Sequence, residues 1–395
     1  MSDRDEARRR DRRDPGSRRP DVAAFAAPPR TTGAAAVRTG GAATVALLSL
    51  PGPHVLPEAM DALAAGLNVM IVSADVPLDQ EIALKEAAAR RGLIVMGPGC
   101  RTAVVGGAAL GVANAVRPGP VGVVAASGTG AQQLMCLLDV AGVGVRHVLG
   151  VGARDLSARV SGRSTLAALA ALDADPGTEL IALVSGPPAP RVADLIREAA
   201  RRLDTPVVFA TGEDDFTTAA EKVLKSLHRT VPEWPRWTAA RRPRPAAGSA
   251  LRGLFAGGAL RDEAELIACD ALGPDLAERG HRFTGFDDVV RARPDPAPRV
   301  EAVRAEASDP ACGVLLLDVV LGHGADPDPA ASLAPAIADA VRDRDDLAVV
   351  VSLCGTRADP QDRDRQAAAL RDAGADVFVS NAQAARHALT RSEGL

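Results

Sequence analysis

The sequence predicts an α/β protein built from several parallel-sheet units, and three observations carry that expectation. Short apolar runs alternate with helical patterns from about residue 42 onward, an order that calls for parallel strands joined by right-handed crossovers. Hydrophobic residues make up 47% of the 395-residue chain, so it can bury large cores, and its length suits two or three domains. The order strand, glycine turn, helix occurs at 121–141 and again at 251–272, which suggests that one flavodoxin-like unit is duplicated.

The totals exclude several functions. A formal net charge of −4 and only 2% aromatic residues, with no tyrosine, argue against nucleic acid as a partner. No apolar run reaches membrane-spanning length, and the start of the chain lacks the apolar stretch of a secretory signal, so a cytoplasmic protein is expected. The cysteines Cys100, Cys136, Cys269, Cys312 and Cys354 are scattered, form no CxxC pair, and read as reduced, structural residues. The histidines are equally isolated, so no protein-bound metal centre is expected from them.

In chain order, residues 1–41 form a tail in which eight of the first twenty residues are arginine, and disorder is expected there. A partial Rossmann-like unit of the CoA-binding type follows at 42–118. Its strands are 43–50, 67–73 and 93–97, and its helices 57–66 and 79–92, the second capped by Asp79. Residues 97–122 read as an irregular connector. The first flavodoxin-like unit, 119–211, has strands at 121–126, 145–151, 180–186 and 206–211, with helices near 130–141, 162–173 and 189–202. Residues 212–248 read as a linker that holds a short amphipathic helix with Lys222 and Lys225 and that Trp234 and Trp237 pack onto a neighbouring surface. The second flavodoxin-like unit, 249–395, has later strands at 312–324, 347–356 and 376–380.

Anion binding is expected at the two glycine turns. Ser127, Gly128, Thr129 and Gly130 leave the first amides of a helix unobstructed, and Gly257, Gly258 and Ala259 repeat the arrangement. Their convergence on one phosphate-sized site is the central expectation. Ligands of doubly wound sheets sit beyond the carboxyl ends of the strands, which also places Asp318, His323, Asp326, Gly355, Thr356, Ser380 and Asn381 at one crevice. His323 suits acid–base work or is a plain loop residue. Asp326 and Asp328 suit Mg²⁺ brought by a phosphate substrate, or a capped turn.

The segments GPGCRTA (97–103), ASGTG (126–130), GARDLS (152–157), DVVLGHGADPDPA (318–330), CGTRADPQ (354–361) and SNAQAA (380–385) resemble the FdrA family. These are relatives of the succinyl-CoA synthetase α subunit with an added carboxy-terminal ligase-type domain. The resemblance implies an acyl-CoA synthetase-type subunit that moves an acyl or carbamoyl group through an acyl phosphate. It includes carbamoyl transfer to phosphate in purine-nitrogen (allantoin and oxamate) catabolism. It also implies a homo-oligomer or a place among the partner subunits of a larger enzyme, and it favours Arg154 with Asp155 as an oxyanion-binding pair over a surface ion pair. Phosphate or an acyl phosphate is the expected ligand. The synthetase's first strand and glycine turn, which hold CoA, fall before Ala42 where this chain has its Arg-rich tail, so CoA in the usual mode is not expected. The synthetase's phosphohistidine segment is replaced by TGEDDFTT (211–218), and the loop that orients that histidine by Ser185-Gly186-Pro187-Pro188. No phosphohistidine relay is expected. A non-catalytic scaffold or ligand-sensing subunit is the alternative.

Overall fold

The structure, a computed structural model, describes residues 31–212, 214–240, 249–286 and 295–392. Three sheets organise it. The first is parallel, with β1 (Val45–Leu48), β2 (Asn68–Ile71) and β3 (Val95–Met96) in sequence order. Helices α2 (Val55–Ala64) and α3 (Leu78–Ala89) bury Val55, Leu63 and Leu84 against it. Helix α3 is capped two residues earlier than expected, by Pro77 rather than Asp79, and Asp79 lies in the first turn, where its charge complements the helix dipole.

Most of the expected disordered tail, 1–30, lies outside the described residues. The part that is described contradicts the expectation, because Thr32–Arg38 forms a helix, α1. The Thr31 side chain accepts from the Ala34 amide, and Thr32 donates through its amide and hydroxyl to Glu58 Oε2 at 3.1 and 2.6 Å. Alanine-rich sequence with a threonine cap forms helix when an acidic neighbour receives its free amides.

The second sheet has the order β5-β4-β7-β6-β8-β9. Its parallel part, β6 (Val121–Ala125), β7 (Val145–Gly150), β8 (Leu180–Val184) and β9 (Val207–Ala210), follows the flavodoxin-like sequence expected. The connector 97–122 is not irregular throughout. It forms a hairpin, β4 (Thr102–Val105) and β5 (Ala108–Gly111), turning at Gly106-Gly107 and adding antiparallel to β7. Helices α4 (Gly128–Val140), α5 (Arg163–Asp173), α6 (Pro190–Ala200) and α7 (Phe216–Ser226) complete the unit. Helix α7 lies in the stretch expected as linker, yet it buries Ala219, Ala220, Val223 and Leu224 in this unit's core, as does Trp234.

The third sheet has the order β10-β15-β14-β13-β11-β12. Strands β11 (Ala250–Phe255), β12 (Arg282–Gly285), β13 (Cys312–Val320), β14 (Ala348–Cys354) and β15 (Asp376–Phe378) are parallel, and repeat the order of the second sheet with one strand more. Strand β10 (Arg236–Trp237) pairs antiparallel with β15, and the Arg363 guanidinium lies over the Trp237 ring, so both tryptophans tie the connection down. The helices are α8 (Gly258–Leu272), α9 (Ala297–Ser308), α10 (Pro329–Asp343), α11 (Arg363–Asp372) and α12 (Asn381–Ser392). The two flavodoxin-like units pack directly: Gln133 Nε2 of α4 donates to Val379 O at 2.9 Å, and the Cys136 and Cys354 sulfurs lie 3.9 Å apart. Among the described residues no helix is long and apolar enough to cross a membrane.

Candidate functional site between two helix amino termini

The strand–glycine–helix repeats bring α4 and α8 together at their starts. The Ala259 amide in the first turn of α8 donates to Thr129 Oγ1 in the first turn of α4 at 3.2 Å. Two like-signed helix ends in contact repel unless negative charge lies between or beside them. Part of that charge is internal. Asp318, near the end of β13, accepts from the Ala256 and Gly257 amides at 2.7 Å each, and Arg299 holds its carboxylate from behind at 2.8 Å. Ser127 caps α4 by accepting from the Gly130 amide. The amides of Gly128, Thr129 and Gly258 have no acceptor among the described residues, and Thr129 Oγ1, which accepts from Ala259, keeps its own proton to give.

These groups line a cavity of about 1230 Å³ shared by all three units. Ser127, Gly128 and Thr129 face Ala256, Gly258 and Ala259 across it. Gly130 and Gly257 are set back from it. A side chain on Gly130 would strike the Phe216 ring at 2.8 Å, and one on Gly257 would strike Asp318 Oδ2 at 3.0 Å and Thr129 Cγ2 at 3.1 Å. Their small size therefore serves the close approach of the helices, while Gly128 and Gly258 face the space itself. The cavity runs on to Ser49 and Val72 at the ends of the first sheet, and to Gly99 and Arg101.

At its other side stands a carboxyl that the sequence reading missed. Glu263, in the second turn of α8, accepts from the Phe216 amide at the start of α7 and from Asn381 Nδ2 at the start of α12, the latter at 2.6 Å. It is almost wholly buried, with 7% of its surface exposed, and burial pushes its carboxyl up to about 7, with nearby Asp215 adding to the rise. Asp215 caps α7 and pairs with Arg386 at 2.6 Å. The replaced histidine segment, 211–218, thus supplies a helix start and acidic side chains to the cavity wall.

Several expected site residues have structural work elsewhere. Asp155 is fully buried and outside the cavity: it accepts from Lys85 Nζ at 2.8 Å and from the Ser164 and Thr165 amides at 3.1 and 2.8 Å, anchoring the start of α5. Arg154 pairs with Glu81 at 2.8 Å and donates to Val76 O, so the pair braces the first unit against the second instead of binding an oxyanion. Thr356 and Gly355 are also set back. The Thr356 hydroxyl donates to Ala115 O at 2.6 Å and its amide to Asp359, while Gly355 packs on Leu321. Ser380 shares a 2.6 Å hydrogen bond with Thr217, and Asn381 supports Glu263 and the Leu260 carbonyl.

His323 meets the second unit through its backbone, which pairs with Ala113, and its side chain is exposed. Asp326 lines the cavity and accepts from the Asp328 amide at 2.9 Å. Asp328 gives its oxygens to Gln366 at 2.7 Å and Arg365 at 3.1 Å. The Asp326 carboxylate thus closes a local turn within the DPDP segment. Among the described residues no cluster of three or more His, Cys, Asp or Glu could hold a metal. In the first unit the Gly52 amide after β1 donates to the Asp75 carboxylate at 3.1 Å. Cys100 is buried, and burial pushes its thiol up to about 12, so it is a packing residue.

Comparison with known proteins bears on the same residues. A family described as CoA-ligase matches residues 254–391. The uncharacterised protein YahF of Escherichia coli (strain K12) is 34% identical over 383 residues, covering 85% of this chain and 74% of YahF. Subunit alpha 2 of an ADP-forming succinate–CoA ligase from Archaeoglobus fulgidus is 27% identical over 170 residues, 42% of this chain and 58% of that protein. A solved dinucleotide-forming acetyl-coenzyme A synthetase 1 of Ca. Korarchaeum cryptofilum, in complex with phosphate and ADP, is 17% identical. It covers 89% of this chain and 83% of its own, at a TM-score of 0.34.

Proposed function

This chain belongs to the FdrA family, relatives of the succinyl-CoA synthetase α subunit, and from that premise we propose that it transfers an acyl or carbamoyl group through an acyl phosphate. The phosphoryl group sits between the starts of α4 and α8. The observation that carries this reading is the convergence of the two helix starts on one cavity, fixed by the 3.2 Å hydrogen bond from the Ala259 amide to Thr129. Three amides and a hydroxyl face the space where a tetrahedral oxyanion would form. Donors fixed in place before the reaction are worth about 10²–10³ in rate apiece.

The chain's own residues do the remaining work. Asp318 with Arg299 holds the β11–α8 turn in place, and Gly99 and Ala325 contribute to the cavity wall. No histidine carries the phosphoryl group, so phosphate attacks the acyl carbon directly, and the family's carbamoyl chemistry in purine-nitrogen catabolism suits that step. Partner subunits or further copies of the chain complete the enzyme. Calorimetric titration of the full chain with phosphate, carbamoyl phosphate, CoA and ATP tests the reading. Carbamoyl phosphate and phosphate are expected to bind and compete for one site. Binding of none of the four would favour a non-catalytic scaffold.

A further inference from the structure

Gln132 stands on α4 one turn beyond Gly128 and Thr129, and helical side chains lean back toward the amino terminus, here toward the anion site. It lines the cavity, yet only 2% of its surface is exposed. Its amide nitrogen is spent on the wall behind it: Nε2 donates to Asn114 Oδ1 at 3.1 Å and to Leu321 O, just past the end of β13, at 3.4 Å. The Asn114 amide is itself fixed, because its Nδ2 donates to Leu321 O at 2.9 Å and to the Asp359 carboxylate at 2.8 Å. Asp359 also accepts from the Ala115 and Thr356 amides at 2.6 and 2.7 Å. Turning the Gln132 amide over would set its oxygen against two other oxygens, so this network assigns its orientation. Oε1, left without a donor among the described residues, is the polar atom that Gln132 offers to the cavity.

An unfilled acceptor beside amides that bind an anion is unfavourable unless the anion brings a hydrogen. Deprotonated oxygens only accept, and set against Oε1 they would leave a buried acceptor unpaired. We infer that Gln132 is a specificity-determining residue whose Oε1 accepts a hydrogen bond from the bound anion, so that the site selects anions carrying a donor over anions of the same shape that carry none. This rests on the reading that a phosphoryl group sits between the starts of α4 and α8. The hydrogen comes from one of two sources, the P–OH of a phosphate dianion or an N–H on the acyl part of an acyl phosphate. Sulfate and acetyl phosphate have neither. A site built to pair with an O–H or N–H rejects the analogue lacking it, because its buried partner then goes unsatisfied. Asn114 and Asp359 act through Gln132, as positioning residues that hold its amide in the orientation the selection needs.

Calorimetric titration of the full chain at about pH 8, where a phosphate dianion keeps one hydrogen, compares two pairs of anions of matching shape: phosphate with sulfate, and carbamoyl phosphate with acetyl phosphate. The donor-bearing member of at least one pair is expected to bind about tenfold or more tightly, and the pair that shows the difference identifies the source, P–OH or N–H. Gln132→Met, which keeps the side chain's length without the amide oxygen, should bring the members of that pair within about threefold of one another by weakening the donor-bearing one. A merely structural role for Gln132 would weaken both members together and leave their ratio unchanged. Should Gln132→Met fail to fold, the wild-type ratios decide alone. Equal affinities within both pairs would overturn the assignment and leave the phosphoryl reading intact, and so would a preference that survives in Gln132→Met. Failure of the wild type to bind any of the four anions would remove both.

Discussion

At the scale of single residues, the two glycine turns make different demands. A side chain on Gly128 would approach only Thr102 Oγ1, at 3.3 Å, and would otherwise project into the cavity. Gly128→Leu is therefore expected to weaken phosphate binding at least tenfold by calorimetry while leaving the melting temperature nearly unchanged. Gly257→Ala instead pushes on Asp318 and Thr129 and should cost about 1–3 kcal/mol of stability in urea denaturation. Glu263 makes a separate thermodynamic claim. Its carboxyl is raised from 4.5 to about 7 in the folded protein, so between those values the native state binds more protons than the unfolded chain. Stability from this group is present below about 4.5 and lost as pH rises to about 7, by on the order of 3 kcal/mol at most. Glu263→Gln should flatten that slope; identical slopes in both proteins would contradict the burial argument. Ser127, Gly128, Thr129, Gly258 and Ala259 were readable from the sequence because a turn leading into a helix is a local pattern. Glu263 was not, because its partners Phe216 and Asn381 lie 47 and 118 positions away. Asp155 was misplaced for the same reason: Lys85, 70 positions earlier, turns it into a brace.

At the scale of elements, the brace between α3 and α5 fixes the first unit to the second. Lys85 Nζ lies 2.8 Å from both Glu81 and Asp155, and all three side chains are fully buried. Removing the cation leaves two carboxylates without their shared partner, so Lys85→Met is expected to destabilise the chain by roughly 3–5 kcal/mol. Denaturant unfolding checks this, and a loss under 1 kcal/mol would mean that water or local rearrangement serves the carboxylates. The parallel strands were legible because each is a buried apolar run, such as Val121–Ala125 or Cys312–Val320. The β4–β5 hairpin was not: β5 is largely exposed, and TAVVGGAALG carries little alternation beyond its Gly-Gly turn. Helix α7 was assigned to a linker because proline and arginine follow it closely, although its apolar face completes the second unit's core. Helix α1 escaped notice because its stability depends on Glu58 and Asp61, which cap it from α2.

At the scale of the whole molecule, one chain brings together two flavodoxin-like units whose leading helices meet, with a partial Rossmann-like unit contributing to the wall of the cavity. The duplication visible in the sequence places each helix start at the carboxyl end of its sheet, and the packing of α4 on α8 makes the two ends one site. With no histidine in the segment 211–218, incubation with ATP, or with acyl-CoA and phosphate, is expected to leave no acid-labile, base-stable phosphate on the protein. The central claim is that a phosphoryl group occupies the space between α4 and α8, and a crystal structure of the full chain with carbamoyl phosphate tests it most directly. The phosphate oxygens are expected within 2.7–3.2 Å of the Gly128, Thr129 and Gly258 amides, with Thr129 Oγ1 donating to one of them. A phosphoryl group bound instead at the strand ends near Ser49 and Val72, with no ligand between the helix starts, would contradict the account.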